Sequence, residues 1–195
     1  GVIIADEVQP GFGRLGSKMW AHQLIGLTPD IITLGKPMAN GYPVGAVITS
    51  NEIMETFRTS YRYFNTFGGN PVACAASMAV LNVIENENLM SNALNVGKYC
   101  ISKLNELSEK YELIGDVRGS GLFFGAEIVL DKKTKNPAKK LTKEIINKMR
   151  HKGVLISKLG INDNTLKIRP PITFSKENAD FLFTKLAEVF KELGF

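Results

Sequence analysis

The chain of 195 residues carries 24 Lys and Arg against 19 Asp and Glu, with 44% apolar and 22% charged residues, which excludes a disordered or collagen-like chain. No apolar run reaches the roughly 18 residues a membrane helix needs, and no basic-then-apolar leader opens the sequence, so no membrane partner is expected. The net charge of +5 is scattered, and the densest basic runs, at 131–135 and 139–140, have no interleaved aromatics; they read as solvated loop around a turn at Asn136-Pro137, and no nucleic-acid partner is expected.

The first residues, 2–5, form an apolar run without alternation, the pattern of a parallel strand covered on both faces. Such a strand at a terminus needs neighbours, so the sequence reads as a piece of a longer protein. Asp6 and Glu7 close this strand. A Gly-rich loop follows at 10–16, a short helix at 18–24, and a second strand at 31–34 that ends in Gly35-Lys36. A turn at 40–43 leads to a third strand at 44–49, a helix beginning at 51–57, and a second Gly-containing loop at 61–70. Pro71 suits the first turn of a long helix, with Ala73, Ala76, Val80, Val83 and Ile84 at helical spacing. A second long helix spans 88–110. Beyond Tyr111 the pattern changes to strands at 113–118, 122–129, 154–157 and 165–168, with helices at 138–152 and 175–193. The domain boundary falls near residues 86–95, giving domains at 1–90 and 91–195. Cys74 and Cys100 lie in helical stretches without a metal-ligand pattern and read as free thiols of a reducing cytoplasm.

The chemistry concentrates at strand ends. Ligands of open α/β sheets bind beyond the carboxyl ends of the strands, and Asp6 and Lys36 both stand there. A lysine amine can form an imine with the aldehyde of pyridoxal phosphate (PLP), and a carboxylate can pair with the pyridinium nitrogen and keep the ring electron-accepting. Taken singly, each residue has a plainer reading: Asp6 as a turn residue, Lys36 as a surface lysine. The combination is more specific. The sequence Gly11-Phe12-Gly13-Arg14-Leu15-Gly16 fits the dinucleotide pattern G-x-G-x-x-G. It starts too late after its strand, and Asp30 precedes the next strand instead of ending it, so that context fails.

Three segments carry a family resemblance: Ala5-Asp6-Glu7-Val8-Gln9-Pro10 with the loop after it, Pro29-Asp30-Ile31-Ile32-Thr33-Leu34-Gly35-Lys36, and Asn65-Thr66-Phe67-Gly68-Gly69-Asn70-Pro71. Together with Val117-Arg118-Gly119-Ser120-Gly121-Leu122 and Leu166-Lys167-Ile168-Arg169-Pro170-Pro171, they resemble class III aminotransferases over the whole chain. The closest likeness is to alanine–glyoxylate aminotransferase 2-like proteins and the phospho-lyases among them.

The resemblance implies an α/β fold: the later half of the fold-type I PLP-transferase large domain, plus a small C-terminal α/β domain. It implies PLP as cofactor, with Lys36 as the Schiff-base lysine and proton shuttle, Asp6 on the ring nitrogen, Val8 on a ring face and Gln9 near the ring hydroxyl. Thr66 would bind the phosphate of the neighbouring subunit in a homodimer, and Arg169 a substrate carboxylate. Glu7 and Arg14 also match family positions and are read as structural. The implied reaction is ping-pong transamination between an amine or amino acid and a keto acid. The alternatives are elimination of phosphate from a phosphorylated amino alcohol, or an inactive split-gene piece or subunit that needs its N-terminal half as partner.

Overall fold

The structure, a computed structural model, describes residues 1–195. The chain divides into two compact units, Gly1–Met90 and Ser91–Phe195.

The first unit is built on a sheet of β1 (Ile4–Asp6), β2 (Ile31–Leu34) and β3 (Ala46–Thr49), in the order β1-β2-β3. β1 and β2 are parallel, which requires the long connection that the Gly-rich segment provides. β2 and β3 are antiparallel. The chain reverses between them through Asn40 (φ 45) and Gly41 (φ 105), residue types that tolerate left-handed backbone. β1 starts later than the apolar run suggests: the Ile3 carbonyl accepts the Ile31 N–H at 3.1 Å, but the Ile3 N–H turns away from the ladder and donates to Asp30 Oδ2 at 2.7 Å. The expected cover on both faces is also absent within this unit, where Val2, Ile3 and Ile4 are 63%, 45% and 60% exposed.

The helix expected at 18–24 is a 3-10 helix, Ala21–Ile25, closed by left-handed Gly26. α1 (Asn51–Ser60) is capped by the Ser50 hydroxyl, which accepts the Ile53 N–H at 3.3 Å. α2 (Pro71–Asn86) has Pro71 at its start, and the Asn70 side chain accepts the Ala73 N–H at 2.9 Å, satisfying an otherwise orphaned donor. Left-handed Asn88 (φ 52) separates α2 from α3 (Leu89–Lys110).

In the second unit, β4 (Ile114–Ser120), β5 (Phe123–Asp131), β7 (Ser157–Leu159) and β8 (Thr165–Ile168) form an antiparallel sheet in the order β4-β5-β8-β7. A short β6 (Asn136–Pro137) pairs with β5. Asn136 and Pro137 are therefore a strand and not the turn: the reversal lies just before them, where Asp131 Oδ1 accepts the N–H groups of Lys133 and Thr134 at 3.1 and 2.7 Å. Two lysines of this loop are tied to carbonyls instead of being free in water. Lys132 Nζ donates to Ser108 O at 2.6 Å, and Lys135 Nζ donates to Gly115 O.

One face of this sheet is apolar. Phe124, Ala126, Ile128, Leu166 and Ile168 pack with Val96, Cys100 and Leu104 of α3, Ile145 and Met149 of α4 (Lys139–His151), and Leu182, Leu186 and Phe190 of α5 (Lys176–Glu192). The helical residues recur at intervals of four, a spacing that keeps them on one helix face. Burying a side chain such as Phe190, which is 0% exposed, stabilises the unit by about 1.5–3 kcal/mol. No helix is long and apolar enough to cross a membrane.

Candidate active site

Parallel pairing creates the candidate site. With Asp6 beside Thr33, β1 and β2 end on the same edge of the sheet, and the ladder continues through the Glu7 N–H to Thr33 O at 3.0 Å. Asp6 is exposed. Its Oδ1 accepts the Val8 N–H at 3.0 Å, an Asx turn that orients the carboxylate and leaves Oδ2 for another donor.

Lys36 stands just beyond β2, exposed, after an extended Gly35 (φ 178). Its own φ is 40, in the left-handed region that residues with a Cβ seldom occupy. Holding it there costs on the order of 1–3 kcal/mol, and strain of this kind clusters at functional sites. A tight turn maintains the conformation: Lys36–Ala39 is a 3-10 helix with Pro37 in its first turn, Met38 N–H donates to Gly35 O, and Asn40 N–H donates to Pro37 O, both at 3.1 Å. α2 packs beside this turn. The two strand ends lie close together: a Cβ built on Gly35 would lie 3.7 and 3.8 Å from the two Val8 methyl groups.

The Gly-rich loop is closed on itself. Gly11 N–H donates to Glu7 O at 3.1 Å, Gly13 N–H to Met19 O at 3.0 Å, and Gly16 N–H to Gly13 O at 2.9 Å. Phe12 and Leu15 are buried, and Phe12 meets Trp20 edge-on at a centroid distance of 5.0 Å. The glycine amides that a dinucleotide fingerprint would offer to phosphate already have backbone partners.

Beneath this loop lies a group whose partner the sequence does not reveal. Glu7 is 1% exposed, and its carboxylate accepts the N–H groups of Ala21 and His22, each at 2.9 Å, with His22 Nδ1 at 2.8 Å. It thus caps the 3-10 helix at Ala21–Ile25 from a distance.

The other expected residues are less constrained. Gln9 is exposed. Thr66 is exposed in the loop before α2, where Asn65 Oδ1 accepts the N–H groups of Phe67 and Gly68 at 3.1 and 3.0 Å. Arg169, in the second unit, follows β8 and is half-buried. Its guanidinium lies 5.1 Å from the centre of the Phe123 ring, and burial alone lowers its pKa.

Residues 1–190 match the sequence model of the aminotransferase class-III family. The chain belongs to that family. This class-III aminotransferase chain is 51% identical over 183 residues to an alanine–glyoxylate aminotransferase 2-like protein of Drosophila melanogaster, covering 92% of the chain and 37% of the relative. It is 46% identical over 192 residues to ethanolamine-phosphate phospho-lyase homolog 1 of Caenorhabditis elegans, covering 97% of the chain and 41% of the relative. Among solved structures, a phospholyase from Arthrobacter in complex with phosphoethanolamine superposes with a TM-score of 0.93 at 46% identity, over 98% of this chain and 45% of that one. The class-III chain thus spans less than half the length of these relatives, and its architecture is that of the fold-type I PLP transferases.

Proposed function

We propose that this chain provides the ring-binding and lysine-bearing part of a PLP-dependent transaminase. The observation that carries the reading is the meeting of two parallel strand ends: Asp6 on one, strained Lys36 on the other, and Val8 against Gly35 between them. In this reading Gly1–Met90 is the later half of the large PLP-binding domain, and Ser91–Phe195 is the linking helix and small domain.

The residues suit the ring end of PLP. Oδ2 of Asp6 is available for the ring nitrogen, Val8 offers an apolar surface to one ring face, and Gln9 is free to reach the ring hydroxyl. The phosphate end is only partly provided. The amides of Gly11, Gly13 and Gly16 are taken, so Thr66 is the donor assigned there, acting on the neighbouring subunit of a homodimer, with further contacts from parts of the fold that this chain does not span.

When bound, PLP supplies an electron sink for carbanion chemistry. Asp6 would keep the ring nitrogen protonated. Lys36 Nζ would hold the cofactor and would move the proton at the substrate carbon. Arg169, which no carboxylate of its own chain neutralises, pairs with a substrate carboxylate in the bidentate geometry that guanidinium favours. An amine or amino acid donates the amino group and a keto acid receives it. With Cys74 and Cys100 as free thiols, a reducing cytoplasm is the compartment that suits the chain.

Borohydride treatment of the PLP-loaded protein, followed by peptide mapping, tests the reading. The label is expected on Lys36, and a label on any other lysine overturns it.

The similarity to the Arthrobacter phospholyase favours a second reading, in which the same Asp6 and Lys36 serve elimination of phosphate from a phosphorylated amino alcohol. Release of inorganic phosphate from phosphoethanolamine, without need of a keto acid, selects the lyase; keto-acid-dependent amino transfer selects the transaminase.

A further inference from the structure

We propose that Glu7, held by His22, is a positioning residue for Asp6. Its buried carboxylate fixes the backbone of residues 6–8 so that the Asp6 carboxylate meets the ring nitrogen of the cofactor in one orientation. The inference rests on the role of Asp6 proposed above.

Asp6 is exposed, and its Oδ1 bond to the Val8 N–H is the contact that orients it. An exposed side chain held by one bond can swing through several rotamers unless the backbone at both ends of that bond is fixed. Glu7 is the residue between them. Successive side chains of an extended segment point to opposite sides, so as Asp6 turns to solvent, Glu7 turns inward, where it is 1% exposed. There it receives the Ala21 and His22 amides and His22 Nδ1, at 2.9, 2.9 and 2.8 Å. Its own N–H is bonded to Thr33 O and its C=O to the Gly11 N–H, so backbone and side chain are both fixed. Breaking one side of a buried, charge-assisted set of hydrogen bonds is expensive, which makes this a stiff anchor.

The loop above it does not depend on this anchor to stay closed. The Gly13–Met19 bond and the Phe12–Trp20 contact hold the loop at its far end. Losing the Glu7 carboxylate would therefore loosen the root of the loop, beside Asp6, before its tip. Glu7→Gln retains shape but places an amide NH2 against N–H donors, so one of the bonds must fail.

The test is a double-mutant cycle in the full-length, PLP-loaded protein, with Glu7→Gln and Asp6→Asn made singly and together. Turnover and the absorption band of bound PLP are read in each variant. Misplacing a catalytic group by about 1 Å can cost on the order of 100-fold, so Glu7→Gln is expected to lower kcat by roughly ten- to a hundredfold and to displace the PLP band. In the Asp6→Asn background the same change should have almost no further effect on either quantity, because residues acting through one another are not additive. His22→Ala, which removes only the ring donor, should give a smaller change of the same kind and decides the matter if Glu7→Gln fails to fold. Additive losses, or a lowered melting temperature with unchanged kcat and PLP band, overturn the inference. Normal turnover in Asp6→Asn alone overturns the role of Asp6 itself, so the two failures are distinguishable.

Discussion

Val8 faces Gly35 across the gap between the ends of β1 and β2. The gap has room for a methyl group: an added Cβ at Gly35 would sit at an ordinary van der Waals distance, 3.7 Å, from the nearest Val8 methyl, and the extended φ of 178 suits any residue. Gly35→Ala should accordingly stabilise the fold by about 0.4–1 kcal/mol through the unfolded chain. Gly97 is the contrasting case. A Cβ there would come within 2.3 Å of Gly121 O, so Gly97→Ala should destabilise by about 1–3 kcal/mol despite its better helix propensity. Urea unfolding of the two variants checks both signs.

Asp6→Asn should lower turnover far more than it lowers PLP content. The amide preserves the size of the side chain and can still accept the Val8 N–H, yet it carries no charge to keep a ring nitrogen protonated. The electron sink acts mainly in the transition state, so the loss belongs in kcat. Near-normal rates, measured beside cofactor content by absorbance, would show that Asp6 does another job.

Arg169→Ala should raise KM for dicarboxylate partners such as 2-oxoglutarate and have less effect on an amine that lacks a carboxylate. Removing one partner of a buried charge pair costs about 2–5 kcal/mol. Unchanged kinetics for the dicarboxylate would mean that the contact with the Phe123 ring is all the guanidinium does.

Burial pushes the Cys100 thiol up to about 12 from an ordinary value of 9.0. The folded chain thus prefers the neutral thiol, while the unfolded chain releases the proton near its ordinary value. This preference is fully present below pH 9.0 and is lost progressively as pH rises from there toward about 12. The stability advantage of the native chain over Cys100→Ala should shrink across that interval in parallel melts, and a constant difference would contradict it. Exposed Cys74 should react promptly with a thiol reagent, whereas Cys100 should react only on unfolding.

Much of this site is legible in the sequence because it is local. The apolar runs ending in Asp6 and in Gly35-Lys36 mark parallel strand ends, and parallel strands necessarily finish on the same edge. The closed state of the Gly-rich loop is not legible, because G-x-G-x-x-G fixes where amides occur and says nothing of what they bond to. Nor is the partner of Glu7: His22 lies 15 positions away across an irregular loop with no period to place it. β7 shows a different failure. The apolar residues at 154–156 suggest a strand there, yet pairing with β8 begins at Ser157, opposite Lys167. Extending it backward would need amides beyond Ile168, where Pro170 and Pro171 have none. Strand limits of this kind depend on the neighbour's sequence as much as on the strand's own.

The left-handed backbone of Lys36 has a consequence for anyone breeding variants of this protein. Glycine would sit at this position without the steric penalty that lysine bears, so Lys36→Gly should melt at a higher temperature while destroying the proposed chemistry. A screen that rewarded heat tolerance alone would therefore drift toward sturdier proteins that had lost their reactive amine. Any consensus or thermostability redesign should hold this codon fixed, because here the fold's preference and the proposed chemistry's need point in opposite directions.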